Sequence, residues 1–299
     1  MTRQMELSTV LQQHGDIPLK YVEVKDTKDH YTTMKQIGDG GTGVVYIADR
    51  KDSVKVAVKK SAPRSSYEDT QNKIIIEWKH LQLLYNLCDV SAACIERIYL
   101  YIPNAQLVKC NEEFMLELTL YERDLSKELW QDMTWPSVAP VSKSQFELVC
   151  KIARQLLDAV ALFEKLGLYL SDLKVDNFLL DNNDNLHLID FEDMQLINQC
   201  NTNGCPFDDH YTKVGRILRD LLGAGVNYTL VNDWMRSPLE LLNRANAVYM
   251  TTAFKDEWVN IYLLIVYLEN TEITHDQKCK NLVIDCNPPD ESLGIHIVP

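Results

Sequence analysis

The 299-residue sequence predicts an α+β fold in two lobes, a small β-rich one first and a larger helical one after it. Three observations carry this expectation. The length suits one large domain or two packed lobes, and 46% hydrophobic residues supply a sizeable core. From Tyr31 to about Leu118, short β-type runs alternate with turn residues. After residue 120, apolar residues recur at helical spacing instead. The expected organisation is an N-terminal extension over 1–29, a first lobe over 30–118 and a second over 119–299. The boundary falls near Thr119–Glu122.

Residues 1–29 are polar and mixed, and read as an extension packed on the domain or partly ordered. Met34–Ile37, Val44–Ile47 and Val54–Val58 read as strands, with Asp49–Ser53 turning between the last two. Residues 67–86 read as a helix ending near Tyr85-Asn86. Ala105–Cys110 and Phe114–Leu118 form a hairpin signal that turns at Asn111-Glu112. Ser144 with Glu147 makes a capping box ahead of a helical apolar stripe running from Phe146 to Phe163, and Gly167 supplies its stop. Phe178–Leu180 and Leu186–Ile189 are strand signals joined by the turn Asp181–Asn185. Most of 210–270 reads as helix. No internal repeat or low-complexity segment interrupts this order.

The net charge of −13 argues against wholesale binding to nucleic acid or to an anionic membrane. It suits a basic protein substrate, although solubility alone also accounts for it. Lys51, Lys55, Lys59, Lys60 and Arg64 form a local basic cluster. The eight cysteines are scattered and include no CxxC pair, which favours reduced thiols and disfavours zinc. Cys200 and Cys205 flank a polar loop and are expected as free thiols. Met1–Val10 lacks the apolar run of a signal peptide, and the Val259–Leu268 stretch is too short for a membrane span. The expectation is a soluble protein of the cytoplasm or nucleus.

Three motifs carry chemistry. In the first, Gly38, Gly40 and Gly43 link one strand to the next with no helix following. That excludes the dinucleotide-binding arrangement, in which the glycines open a helix. Glycines let a backbone lie over phosphates with its N–H groups free to meet the oxygens, and Val45 would then cover a base. A flexible hairpin is the plain alternative.

In the second, Lys59 ends the apolar run Val56-Ala57-Val58. A lysine there is costly to bury unless paired, and the alternative is an edge residue pointing to solvent. Its spacing from Gly43 suits a lysine reaching phosphate oxygens. Glu77 on the next helix is the candidate partner, ahead of Glu68 and Asp69.

The third motif runs Tyr169-Leu170-Ser171-Asp172-Leu173-Lys174-Val175-Asp176-Asn177, and Ile189-Asp190-Phe191-Glu192-Asp193 follows it. Phosphoryl transfer needs a carboxylate near the attacking hydroxyl, a cation on the transferred group and oxygen ligands for Mg²⁺. Asp172, Lys174, Asn177 and Asp190 are groups of those kinds in that order. Two hairpin strands with acidic turns are the bland alternative.

Taken together, these residues resemble the eukaryotic-like protein kinase superfamily over roughly residues 31–225. The resemblance implies a bilobal kinase fold that binds Mg²⁺–ATP between its lobes and transfers the γ-phosphoryl group to Ser/Thr hydroxyls of a protein substrate. It implies that Gly38, Gly40 and Gly43 form the glycine-rich loop and that Lys59 and Glu77 form the catalytic ion pair. Asp172 takes the place of the catalytic base, Lys174 of the γ-phosphate lysine, and Asn177 and Asp190 of the metal ligands. Val45, Ala57 and Leu179 would sandwich the adenine. Leu116–Thr119, with Glu117 and Thr119, would hydrogen-bond its edge.

The departures from the family pattern are specific. Ser171 stands where an arginine usually answers an activation-loop phosphate, which argues against that switch. Glu192 replaces the usual glycine after Asp-Phe. The stretch from Glu192 to Asp209 is short and no Ala-Pro-Glu follows, so the segment that docks a peptide is minimal. Asp208 or Asp209 resembles the helix start that braces the catalytic loop. These features resemble divergent kinases of the viral or bacterial-effector type. Two other readings stay open: a small-molecule kinase of the aminoglycoside or choline type, to which Ile189–Asp193 is similar, and a pseudokinase that keeps the fold as a nucleotide-binding interaction module.

Overall fold

The computed structural model describes residues 17–40, 43–62, 67–89, 101–121, 123–127, 143–196, 210–223, 261, 264–265, 267–270, 272–284 and 295–297. Asp208, Asp209, Cys200 and Cys205 lie outside them. The chain divides into two compact units. The first holds the chain up to Glu122 with Glu164–Asp172 and His187–Asn203. The second holds Arg123–Phe163, Leu173–Leu186 and Gly204–Pro299.

In chain order the elements begin with β1 (Tyr21–Val24), α1 (Thr27–His30), β2 (Tyr31–Asp39), β3 (Gly43–Arg50), β4 (Lys55–Ser61) and α2 (Tyr67–Asp89). Next come β5 (Ala105–Cys110), β6 (Glu113–Thr119), β7 (Arg123–Asp124), α3 (Lys143–Lys165), β8 (Leu168–Leu170), β9 (Phe178–Leu180), β10 (Leu186–Leu188) and β11 (Met194–Leu196). The series closes with α4 (His210–Gly223), α5 (His275–Asn281), β12 (Leu282–Ile284) and β13 (Ile295–Ile297).

The first unit is built on a six-stranded sheet in the order β1-β5-β6-β4-β3-β2. Its hairpins form where the turn chemistry predicts them. Ser53 and Asn111 take φ of 67° and 55°, the left-handed turn region that short polar residues tolerate. The stretch expected as an extension contributes β1, which pairs parallel with β5 from Tyr21↔Leu107 to Val24↔Cys110. Helix α2 runs three residues beyond the expected end at Asn86. Helix α3 starts at Lys143, so Ser144 lies within its first turn rather than ahead of it.

Residues directly opposite in an antiparallel pair share a face of the sheet. Lys59 is opposite Val45 and Leu116, and Ala57 is opposite Ile47 and Leu118. One face therefore presents Val45, Ile47, Ala57, Lys59, Leu116 and Leu118. The other face carries a buried cluster of Tyr31, Ala48, Val56, Val58, Val108, Cys110 and Met115. Glu117, opposite Val58, belongs to this second face.

A carboxylate among such residues needs partners. Arg50 Nη1 lies 2.9 Å from Glu117 Oε1, the Tyr31 hydroxyl donates to Oε2 at 3.0 Å, and His30 Nε2 lies 3.2 Å from Oε2. Burial, and then the Glu117 charge, push the Tyr31 hydroxyl above its ordinary range. The Glu117 side chain thus ties β2, β3 and the α1 turn to β6. Glu117→Ala is expected to cost about 1–3 kcal/mol of stability by leaving these groups unanswered. A lowered urea midpoint at unchanged slope would register it.

In the second unit, β7 pairs antiparallel with β9, placing Asp124 opposite Leu179. The turn after β9 is closed by Asp181, whose Oδ1 accepts from the Asn183 and Asn185 amides at 2.8 Å each. Gln155 of α3 holds the same turn through the Asp184 carbonyl at 3.0 Å and the Leu186 amide at 2.8 Å. In α4, a Cβ on Gly215 would come within 2.9 Å of Glu269 and 3.0 Å of Leu268, so glycine permits that close packing. No helix among the described residues is long and apolar enough to cross a membrane. Cys110 and Cys150 are buried and are not joined in a disulfide.

Candidate active site

The first unit gathers Lys59, Glu77 and Asp190 at one point. Lys59 Nζ donates to Glu77 Oε2 at 2.7 Å and to Asp190 Oδ1 at 2.8 Å, and lies 3.7 Å from Glu192 Oε2. The lysine is carried by an interior strand and the glutamate by α2. Asp190 follows β10 with φ of 67°. That left-handed backbone is sparsely populated outside glycine, although Asp adopts it more readily than most residues. It belongs to the geometry that puts the Asp190 carboxylate on the ammonium.

Electrostatics fix the charge state of the centre. Burial works against the Lys59 ammonium, but the Glu77 and Asp190 carboxylates outweigh it and hold its pKa well above the ordinary lysine range. Burial pushes the Glu77 carboxyl up, and the Lys59 charge opposes this. A permanently charged lysine on a strand, oriented by a buried carboxylate, suits a phosphate-binding cation.

Phe191 and Glu192, which follow Asp190, both contact helix α2. The Phe191 amide donates to Glu77 Oε1 at 3.4 Å, the Phe191 carbonyl meets His80 Nδ1 at 2.5 Å, and Glu192 Oε1 lies 3.1 Å from Lys73 Nζ. Lys73, Glu77 and His80 stand four and three residues apart, one face of a helix. That spacing was visible in the sequence. What it faces was not.

Gly43 sits beside Lys59. A Cβ there would stand 2.6 Å from the Lys60 carbonyl and 3.1 Å from Lys59 Cγ. At Gly38 and Gly40 the nearest atoms would be 3.7 and 3.6 Å away, ordinary contacts. Gly40 closes the turn by donating to the Gly43 carbonyl at 2.9 Å. Gly43→Ala is therefore expected to cost about 1–3 kcal/mol by overpacking, whereas Gly38→Ala and Gly40→Ala leave stability close to wild type. Chemical denaturation of the three variants checks this.

Asp172 follows β8, which pairs with β11 through Leu170↔Met194. Ser171 donates its hydroxyl to the Asp193 carbonyl at 2.6 Å. The residue standing in place of the usual arginine thus ties the Asp172 loop to the segment after Asp190. Leu81, Leu170 and Phe191 are all buried.

The second unit carries Lys174, Asn177 and Leu179. Val175–Asn177 form a single 3₁₀ turn in which the Asn177 amide donates to the Lys174 carbonyl at 3.0 Å. Asn177 is buried and Lys174 exposed. Thr119, at the end of β6, donates its amide to the Asn104 carbonyl at 3.0 Å.

Divalent metal fits the donor set around Asp190. The carboxylate oxygens of Glu77, Asp190 and Glu192 lie within 4.8 Å of one another, and Glu192 Oε2 is buried without a hydrogen bond. Among the described residues these three carboxylates meet two ammonium groups, Lys59 and Lys73, and all the donors are hard oxygens of the kind Mg²⁺ takes.

Comparison with known proteins agrees with this geometry. The family model for the protein kinase domain matches residues 31–214. Calcium-dependent protein kinase 33 of Arabidopsis thaliana is 24% identical over 206 residues, covering 67% of this chain and 33% of that protein. Phytosulfokine receptor 1 of Arabidopsis thaliana is 27% identical over 222 residues, covering 72% and 19%. A G-type lectin S-receptor-like serine/threonine-protein kinase of the same plant is 28% identical over 178 residues, covering 58% and 19%. The matches thus take in a third or less of each of these relatives. From the glycine loop to the Lys59 centre, the sequence and the fold place this chain in the protein kinase domain family.

Proposed function

We propose that the chain is an active protein kinase that transfers the γ-phosphoryl group of Mg²⁺–ATP to Ser/Thr hydroxyls of a protein substrate. The observation that carries this is the Lys59 centre, where a buried, permanently charged lysine is oriented by Glu77 and touches Asp190. The serine/threonine-protein kinase among the relatives supports the acceptor class. The acidity of the chain supports a basic protein substrate, and a cytoplasmic or nuclear setting suits its cysteine usage. The lobes are assigned as 30–118 and 119–299, with 1–29 ahead of them as a stretch whose Tyr21–Val24 strand joins the first sheet.

In this reading the backbone of Gly38, Gly40 and Gly43 lies over the phosphates. Val45, Ala57 and Leu179 hold the adenine from its two faces, and backbone groups of Glu117 and Thr119 mark its edge. Lys59 neutralises the α- and β-phosphate oxygens, and Glu77 keeps it aimed. Asp190 and Asn177 would hold the metal. When bound, Mg²⁺ supplies charge neutralisation on the phosphate oxygens. Asp172 orients the substrate hydroxyl and accepts its proton as the new O–P bond forms. The bond from the γ-phosphorus to the bridging oxygen of ADP breaks in the same displacement, and Lys174 holds the transferred group.

The test is incubation with labelled ATP, Mg²⁺ and casein, histone or basic peptides, with Asp172→Asn alongside. Label is expected on serine or threonine of at least one protein with the wild type only. Label on a small-molecule alcohol but on no protein would overturn the reading in favour of a small-molecule kinase.

A further inference from the structure

The residue that replaces glycine after Asp-Phe has a job. The Glu192 side chain is only 6% exposed, and its two oxygens meet two different lysines. Lys73 Nζ lies 3.1 Å from Oε1, and Lys59 Nζ lies 3.7 Å from Oε2. A carboxylate that deep needs a close cation. Lys59 is already committed to Glu77 and Asp190 at shorter distances. Lys73 is therefore the principal partner. Its side chain is 44% exposed, so the pair has one wet end and one dry end.

Lys73 sits one helical turn before Glu77, on the same face of α2. The segment 190–192 thus runs along that face with contacts at Lys73, Glu77 and His80. A rotation of α2 that carried Glu77 off Lys59 would also strip Lys73 from Glu192 and leave the buried carboxylate without its nearest charge. Glycine at 192 offers no such hold. Meanwhile Ser171 occupies the position from which an arginine would answer a loop phosphate, and its hydroxyl is bound to the Asp193 carbonyl.

We propose that Lys73 and Glu192 are a pair of positioning residues that lock helix α2 onto the Asp190–Glu192 segment, so that Glu77 stays on Lys59 without a phosphorylated loop. The effect on turnover rests on the kinase reading above. The effect on the helix does not.

The test uses the full chain without nucleotide, in wild type, Lys73→Met, Glu192→Gln, the double variant and Lys73→Arg. Hydrogen exchange is read across Ile74–Leu81, and kcat and KM for ATP are measured in parallel. Each neutralising single variant is expected to speed exchange across Ile74–Leu81 about tenfold, the size of a coupling within one network. It should lower kcat by a similar factor, with KM for ATP changed much less. The double variant should be no worse than the worse single, and Lys73→Arg should stay near wild type. If Lys73→Met does not fold because it strands the Glu192 charge, Glu192→Gln and the double variant strand no buried charge and decide the matter. Unchanged exchange across Ile74–Leu81 in Glu192→Gln, or effects that simply multiply in the double variant, would overturn the lock. A wild type that transfers no phosphoryl group would overturn the kinase reading instead, with the exchange data still deciding the lock.

Discussion

Asp172→Asn is expected to lower phosphoryl transfer by about 10²–10⁴-fold, the usual worth of a positioned general base, while Mg²⁺–ATP still binds. Asparagine keeps the shape of the side chain and loses the charge and basicity that orient a hydroxyl and take its proton. The backbone of the loop is held by other groups: β8 pairs with β11, and Ser171 binds the Asp193 carbonyl. The substitution therefore tests chemistry rather than folding. Turnover at saturating ATP and substrate, with thermal stabilisation by Mg²⁺–ATP as the binding control, separates the two. Equal turnover in variant and wild type would remove Asp172 from the mechanism.

Lys59→Met should be the most damaging single change to the protein as a whole. It removes the ammonium that Glu77 and Asp190 share at 2.7 and 2.8 Å and leaves three clustered carboxylates with Lys73 as their remaining cation among the described residues. Breaking a buried pair from one side costs about 3–5 kcal/mol, and both activity and nucleotide binding should be lost with it.

The sign of the pH dependence follows from Glu77. Burial already raises its carboxyl pKa, and loss of Lys59 removes the charge that opposes the rise. A carboxyl whose pKa is higher in the folded than in the unfolded state gains stability as pH falls toward the ordinary carboxylate range. The stability deficit of Lys59→Met against wild type should therefore be largest near neutral pH and shrink on acidification. Urea midpoints of both proteins at several pH values check this. A deficit that grows on acidification would mean that Glu77 is ionised in the variant.

Much of this was legible in the residues. The two strand-rich hairpins were readable because turn residues such as Ser53 and Asn111 mark their ends. Lys59 and Glu77 were readable because a lysine in an apolar strand demands a buried partner. The sheet's strand order was not, since the parallel pairing of β1 with β5 joins residues far apart in sequence. Nor was the role of the Glu117 side chain. Its place in an adenine-edge motif concealed that strand alternation turns the side chain to the face opposite Lys59, where Arg50 and Tyr31 meet it. Glu192 looked like a lost glycine. Only the packing of α2 against the segment after Asp190 reveals Lys73 beside it. The glycines also separate in structure: Gly43 is needed for space, while Gly38 and Gly40 have room for a Cβ.

Thermal unfolding of the wild-type protein with and without millimolar Mg²⁺–ATP bears on the Lys59 centre without any need to know the substrate. A ligand that binds only the folded state at one hundred times its Kd adds about 2.7 kcal/mol of stability. The account predicts a clear rise in melting temperature that is largely lost in Asp190→Asn. A wild-type melting temperature that does not move would contradict it.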